Sequence, residues 1–261
     1  MNAFGSTTSL KEKVISSLNK VYDPELDEPI TDLGFVRDVK VSELGDVEVE
    51  IMTSMYWCSP NFIYMMLEDA KEAVSRIEGV KRVRIRILNH FDEDKLNMIN
   101  EGRTFEQIYG EEAMDNLEDL RALFKLKALR RRLYRVVNVL TKHGLTLEEI
   151  LALSPDEVKV EGECVTIRAG TKQVFVEDAQ EVEALTRYLD LIKGLCRNVA
   201  RFVVWSLDGK APSLEELRTL VERGRSMNVN FGFNTALCAA LLHSRINSPR
   251  EDIKDCGPAQ Q

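Results

Sequence analysis

Two hydrophobic periods share this chain, and together they restrict it to a fold with both strands and long helices. Val39, Val41, Val47, Val49 and Ile51 alternate with polar residues, and Val83, Ile85 and Ile87 alternate with Arg82, Arg84 and Arg86. A period of two puts successive side chains on opposite faces of a strand, so these segments read as half-buried β-structure. From Leu117 the period changes. Leu120, Leu123, Phe124, Leu126, Leu129, Leu133, Val136, Val137 and Leu140 lie on one side of a long helix that runs to His143 and ends at Gly144. The expectation is an α+β protein. A small α/β layer domain over 1–114 precedes a mainly α-helical domain over 115–261 that carries a short β-hairpin.

Local signals place the elements. Ser9 with Glu12 forms a capping box, and Leu10, Val14, Leu18 and Val21 carry the helix it opens to Tyr22. Asp23-Pro24 closes that helix, because a residue before proline avoids the α region. Strands over 35–41 and 47–52 meet at Leu44-Gly45-Asp46 as a hairpin. Pro60, capped by Ser59, opens a second helix with Met66, Ala70, Ala73, Val74 and Ile77 on its apolar face. Gly79 stops it, and 80–88 is a third strand. The order helix, strand, strand, helix, strand implies a mixed sheet with its helices on one face. In the second part Thr146 with Glu149, Ser154 with Glu157 and Ser213 with Glu216 are further capping boxes. Segments 158–160 and 165–167 read as a hairpin, 178–196, 213–224 and 233–245 as helices, and the tail from Ser248 as loose.

Several function classes drop out. Thirty-five basic against 43 acidic residues leave a net charge of −8, a poor balance for neutralising phosphates, so no nucleic-acid partner is expected. No stretch approaches the ~18 apolar residues of a membrane helix, and the opening segment does not read as a secretory leader, so no membrane partner is expected either. The five cysteines, Cys58, Cys164, Cys196, Cys238 and Cys256, form no CxxC pair; they read as thiols of a reducing cytoplasm. No nucleotide loop, nucleophile elbow or zinc-protease motif is present, so the chain is not expected to be an enzyme. Arg130-Arg131-Arg132 reads as a solvated basic helix face, and His90 as a solvated loop histidine.

Two positions could carry chemistry. Cys58 follows a strand and stands just before Ser59-Pro60, where unpaired N–H groups and the helix dipole favour an anion. A thiolate there is a nucleophile or a metal ligand; the plainer alternative is a small apolar residue at a strand end. Asp23, in Asp23-Pro24-Glu25, could ligate a metal or could be a turn residue bonded to its own backbone. Cys196 and Cys238 read as core residues on apolar helix faces.

The first part resembles the MIP18 family, the DUF59 domain. The resemblance lies in Asp23-Pro24-Glu25-Leu26, Pro29-Ile30, Asp32-Leu33-Gly34-Phe35-Val36, Thr53, Cys58-Ser59-Pro60, Gly79-Val80, Val83-Arg84-Ile85, Asn100-Glu101-Gly102-Arg103 and Tyr109-Gly110. It departs where Ser59 separates the cysteine from the proline, and where Asn89-His90-Phe91-Asp92 lacks the proline and tryptophan usual after the third strand. The resemblance implies a factor for iron–sulfur cluster assembly or metalloenzyme maturation, in which Cys58 contacts iron or a cluster transiently and Asp23 is its acidic neighbour. It also implies partners among client metalloenzymes, an oxygenase being one variant, or cluster-assembly proteins. A homodimer sharing one cluster between two Cys58 residues is a further expectation, and residues 115–261 would dock the client or form the dimer. The competing expectation is a protein–protein adaptor that uses no metal and keeps Cys58 for structure.

Overall fold

The computed structural model describes residues 9–112, 116–195 and 199–247. The expected division at 114, Cys196, Cys256 and the tail from Ser248 lie outside the described residues. The chain forms two compact units that are not contiguous in sequence. The first comprises Glu28–Ile108 with the described parts of Met1–Asp23 and Asn234–Gln261; the second comprises Pro24–Asp27 with the described parts of Tyr109–Phe233.

The first unit is built from α1 (Leu10–Leu18), β1 (Tyr22–Asp23), β2 (Glu28–Pro29), β3 (Val36–Val41), β4 (Asp46–Ile51), α2 (Pro60–Ser75), β5 (Arg82–Ile87), α3 (Glu93–Asn97) and α4 (Phe105–Tyr109). The Ser9–Glu12 capping box is present. α1 ends at Leu18, short of the expected Tyr22, because Tyr22 and Asp23 pair antiparallel with Pro29 and Glu28 instead. That pairing partner lies beyond the reach of helical periodicity. Strand order is β3-β4-β5, antiparallel then parallel, so the sheet is mixed as expected. Across β4 and β5, Asp46, Glu48 and Glu50 stand opposite Arg82, Arg84 and Arg86, which favours this register over a slipped one. α1 and α2 pack on each other, and on β3 and β5 respectively. Val47, Val49, Ile51, Ile85 and Ile87 meet Val14, Leu18, Ile63, Leu67 and Val74 in the core, all at most 2% exposed. Burial of each such side chain stabilises by about 1.5–3 kcal/mol.

Gly45 turns the hairpin at φ 85°, and a side chain there would meet the Gly79 carbonyl oxygen at 2.2 Å. The outer edge of β5 is closed by side chains. Asn100 accepts from Ile85 N–H and donates to Ile85 C=O, and Asn97 does the same for Ile87.

The second unit contains α5 (Leu117–Lys142), α6 (Leu147–Ala152), β6 (Val158–Glu161), β7 (Cys164–Ala169), β8 (Lys172–Val176) and α7 (Ala179–Leu195). The expected hairpin is two strands of a three-stranded antiparallel sheet, β6-β7-β8. Leu129, Leu133, Val136, Val137 and Leu140 of α5 share a core with Val165, Ile167, Leu185, Tyr188 and Phe202. α8 (Leu214–Asn247) is one helix of 34 residues, where two separate helices were expected. Its residues up to Phe233 belong to the second unit and those from Asn234 to the first. Polar, glycine-containing residues 226–234 do not interrupt it. At Gly224 a Cβ would meet the Tyr134 ring at 2.1 Å, so this glycine serves close packing rather than helix termination.

The basic face also differs from expectation. Arg131 is fully buried and Arg132 is 8% exposed. Arg131 donates to Leu26 C=O, and Arg132 grips the Asp27 carboxylate with Nε at 3.1 and 3.0 Å and one terminal nitrogen at 2.6 Å. Asp27 holds a left-handed backbone at φ 52°. These arginines are structural anchors for the Pro24–Asp27 segment, a role that only the fold reveals.

Candidate functional site

The site forms where two loops of the first unit meet. β4 ends at Ile51, and the chain then runs through Thr53 to Ser59 before α2 begins at Pro60. Cys58 is therefore at a strand-to-helix corner, as its sequence position suggested. Its sulfur is half-buried. Ser59 is the N-cap residue by backbone geometry, but its hydroxyl makes no capping bond.

The second loop follows β5. Phe91 N–H donates to Tyr56 C=O at 3.0 Å, and the His90 ring Nε2 lies 2.8 Å from Cys58 C=O. Asp92 N–H donates to His90 Nδ1 at 3.1 Å. Nδ1 is thus the acceptor, which leaves the proton on Nε2 to bond the Cys58 carbonyl. His90 is 4% exposed, not the solvated residue expected. Burial pushes its pKa below the ordinary imidazole value; Arg245 adds to that, while the Cys58 carbonyl and the charges of Asp92 and Glu93 oppose it. A neutral imidazole suits the bond it makes.

α8 supplies a third component. Cys238, Leu242 and Arg245 recur at i, i+4 and i+7, which is one face of a helix. Leu242 is 3% exposed. Arg245 donates to Thr53 C=O at 2.8 Å and also to Asn89 C=O, so one guanidinium ties both loops. Burial pushes the Arg245 pKa down. Ser54, 4% exposed, donates to Cys238 Sγ at 3.5 Å, and its hydroxyl is 4.0 Å from Cys58 Sγ. Cys238 is accordingly half-buried beside the Cys58 loop rather than in a hydrophobic core.

Exposed aromatic residues flank the thiol. Trp57 is 69% exposed, and Tyr56 and Phe91, with ring centres 6.4 Å apart, are exposed as well.

Asp23 is buried in β1, which packs against α2, the helix that Cys58 precedes. Cys164 belongs to the second unit, where its thiol donates to Glu161 C=O at 3.2 Å. No group of three or more His, Cys, Asp and Glu able to hold a metal occurs among the described residues. No described helix is long and apolar enough to cross a membrane. The site offers the Cys58 thiol in a loop fixed by an imidazole and a guanidinium, with the Cys238 thiol beside the same loop.

The sequence singled out Cys58 and Asp23 as candidates, but not His90, Cys238 or Arg245, which the fold places at the Cys58 loop. The available signal for the last two was their shared helix face.

Residues 11–87 match the family described as iron-sulfur cluster assembly protein. Over 87 residues the chain is 36% identical to an uncharacterized protein of Methanocaldococcus jannaschii, covering 33% of this chain and 90% of that one. It is 34% identical over 76 residues to an Fe-S protein maturation auxiliary factor of Porphyromonas gingivalis, covering 29% of this chain and 70% of the factor. It is 32% identical over 89 residues to an iron-sulfur cluster carrier protein of Mycobacterium tuberculosis, covering 34% of this chain but only 23% of the carrier. No solved structure matches the chain.

Proposed function

The chain belongs, through residues 11–87, to the iron-sulfur cluster assembly protein family, and from that premise we propose that it is a cluster-assembly or metalloprotein-maturation factor that holds iron or a cluster in passing through Cys58. The names borne by relatives, cluster carrier and maturation auxiliary factor, support this class of role. The observation that carries the reading is the Cys58 corner: a half-buried thiol before α2, its loop fastened by His90 and Arg245. One such thiol gives a labile hold, which suits a cargo that must leave, whereas a resident centre calls for a closed ligand set. Iron is here a substrate. The protein acts as a carrier and adaptor, not as a catalyst, in the reducing cytoplasm.

Asp23, buried in a strand that packs on α2, is the acidic neighbour in this reading. The second unit docks the client metalloenzyme, with an oxygenase among the clients the family resemblance allows, or pairs two copies of the chain.

Anaerobic reconstitution with iron and sulfide tests the proposal. Wild type is expected to develop visible charge-transfer absorption and retain iron, and Cys58→Ala to lose both. Equal retention by the two proteins would remove Cys58 from the role. Retention by neither would leave the adaptor reading, with capture of partners by the full chain as the next measurement.

A further inference from the structure

Cys238 lies outside residues 11–87, yet it reaches the same loop as Cys58. We propose that Cys58 and Cys238 form one two-thiol site for a thiophilic metal centre, the second ligand coming from α8. This rests on the reading of Cys58 as the iron-handling thiol and gives that site its second ligand.

The Ser54 hydroxyl reaches both sulfurs, 4.0 Å from Cys58 Sγ and 3.5 Å from Cys238 Sγ. The sulfurs can be no farther apart than the sum of those distances. Thiolates on one metal ion lie within about 4.6 Å of each other, twice a ~2.3 Å metal–sulfur bond, and a cluster accepts a wider span. Both cysteines are half-buried, neither sealed in the core.

The helix is held in the register this requires. Arg245, two turns beyond Cys238, is bonded to Thr53 C=O and Asn89 C=O, and Leu242 between them is buried. One residue of slip would swing Cys238 by about 100° off the loop. Arg245 also supplies a positive charge to offset thiolates in a partly desolvated place. Two thiolates leave half of a four-coordinate centre for a donor or an acceptor protein, which is what a hand-over needs.

The test uses full-length protein under anaerobic conditions with two probes. Cobalt(II) reports thiolate ligation through the intensity of its sulfur-to-metal charge-transfer band. Phenylarsine oxide is retained firmly only where two thiols close on one arsenic atom. Wild type is expected to show two-thiolate cobalt absorption and to retain arsenic, with mass spectrometry mapping the arsenic to the Cys58 and Cys238 peptides. Cys238→Ser should lose about half the band, bind cobalt at least about tenfold more weakly, and release the arsenical. An unchanged Cys238→Ser alongside a defective Cys58→Ala would overturn the two-thiol site and leave the Cys58 reading standing. No cobalt binding by wild type would overturn both. If Cys238→Ser fails to fold, the peptide map of arsenic on wild type decides: arsenic on any other pair refutes the site.

Discussion

The two units bury polarity by different means. Apart from Asp23, the buried polar side chains among the described residues of the first unit are Thr53, Ser54 and a His90 whose pKa is lowered by burial. The second unit buries full charges, Arg131 and Arg132 against Asp27. A neutral group with its bonds made costs little to bury and little to move. A buried charge is tolerable only while its partner stays in place. The first arrangement leaves a loop free to adjust, and the second suits a segment that must not shift.

The sharpest way to break this comparison is Asp27→Ala, which strands Arg132 in the interior. It should cost roughly 3–5 kcal/mol in denaturant unfolding. Asp27→Asn keeps the left-handed backbone comfortable and removes only the charge, so it should lose less. Equal losses would show that ion pairing alone, not backbone conformation, anchors the segment; no loss in Asp27→Asn would show the reverse. On the neutral side, Asn100→Ala leaves Ile85 N–H and C=O at the β5 edge without their partner. A loss of about 1–3 kcal/mol is expected, with faster hydrogen exchange at Ile85; a loss as large as that of Asp27→Ala would erase the distinction between the units.

The smallest effect is a pH dependence in the second unit. Lys142 first, and His143 second, hold the Glu181 carboxylate below the usual carboxylate range. A carboxylate whose pKa is lower folded than unfolded contributes stability above its unfolded pKa and loses it as pH falls through the folded value. Glu181→Gln should therefore flatten the decline in stability below about pH 5. Lys142 is largely solvent-exposed, so salt should shrink the difference further.

What the sequence disclosed was mostly local. The capping boxes at Ser9, Thr146 and Ser154 form because each needs only a residue three positions away. The period-two strands and α5 fall where the apolar pattern put them. The misses share a cause in distant partners. Tyr22 left the helix for Pro29, and Arg131 and Arg132 left the solvent for a segment 105 positions earlier. Cys58 could be singled out from its corner. The groups around it could not be joined to it from sequence, even where a shared helix face links Cys238 and Arg245, because His90 meets it across 32 positions and Cys238 meets Ser54 across 184.

The amides of Asn97 and Asn100 have a consequence for association. A sheet edge is ordinarily an open template on which another chain can lay a strand, and that route leads both to recruitment of extended peptides and to aggregation. Along β5 a newcomer would have to displace two side-chain bonds at Ile85 and two at Ile87 to pair with those residues. The edge therefore repels strand addition while adding no charge to the surface. At Ile85 and Ile87 a visiting chain meets side-chain amides where a sheet edge ordinarily offers free backbone.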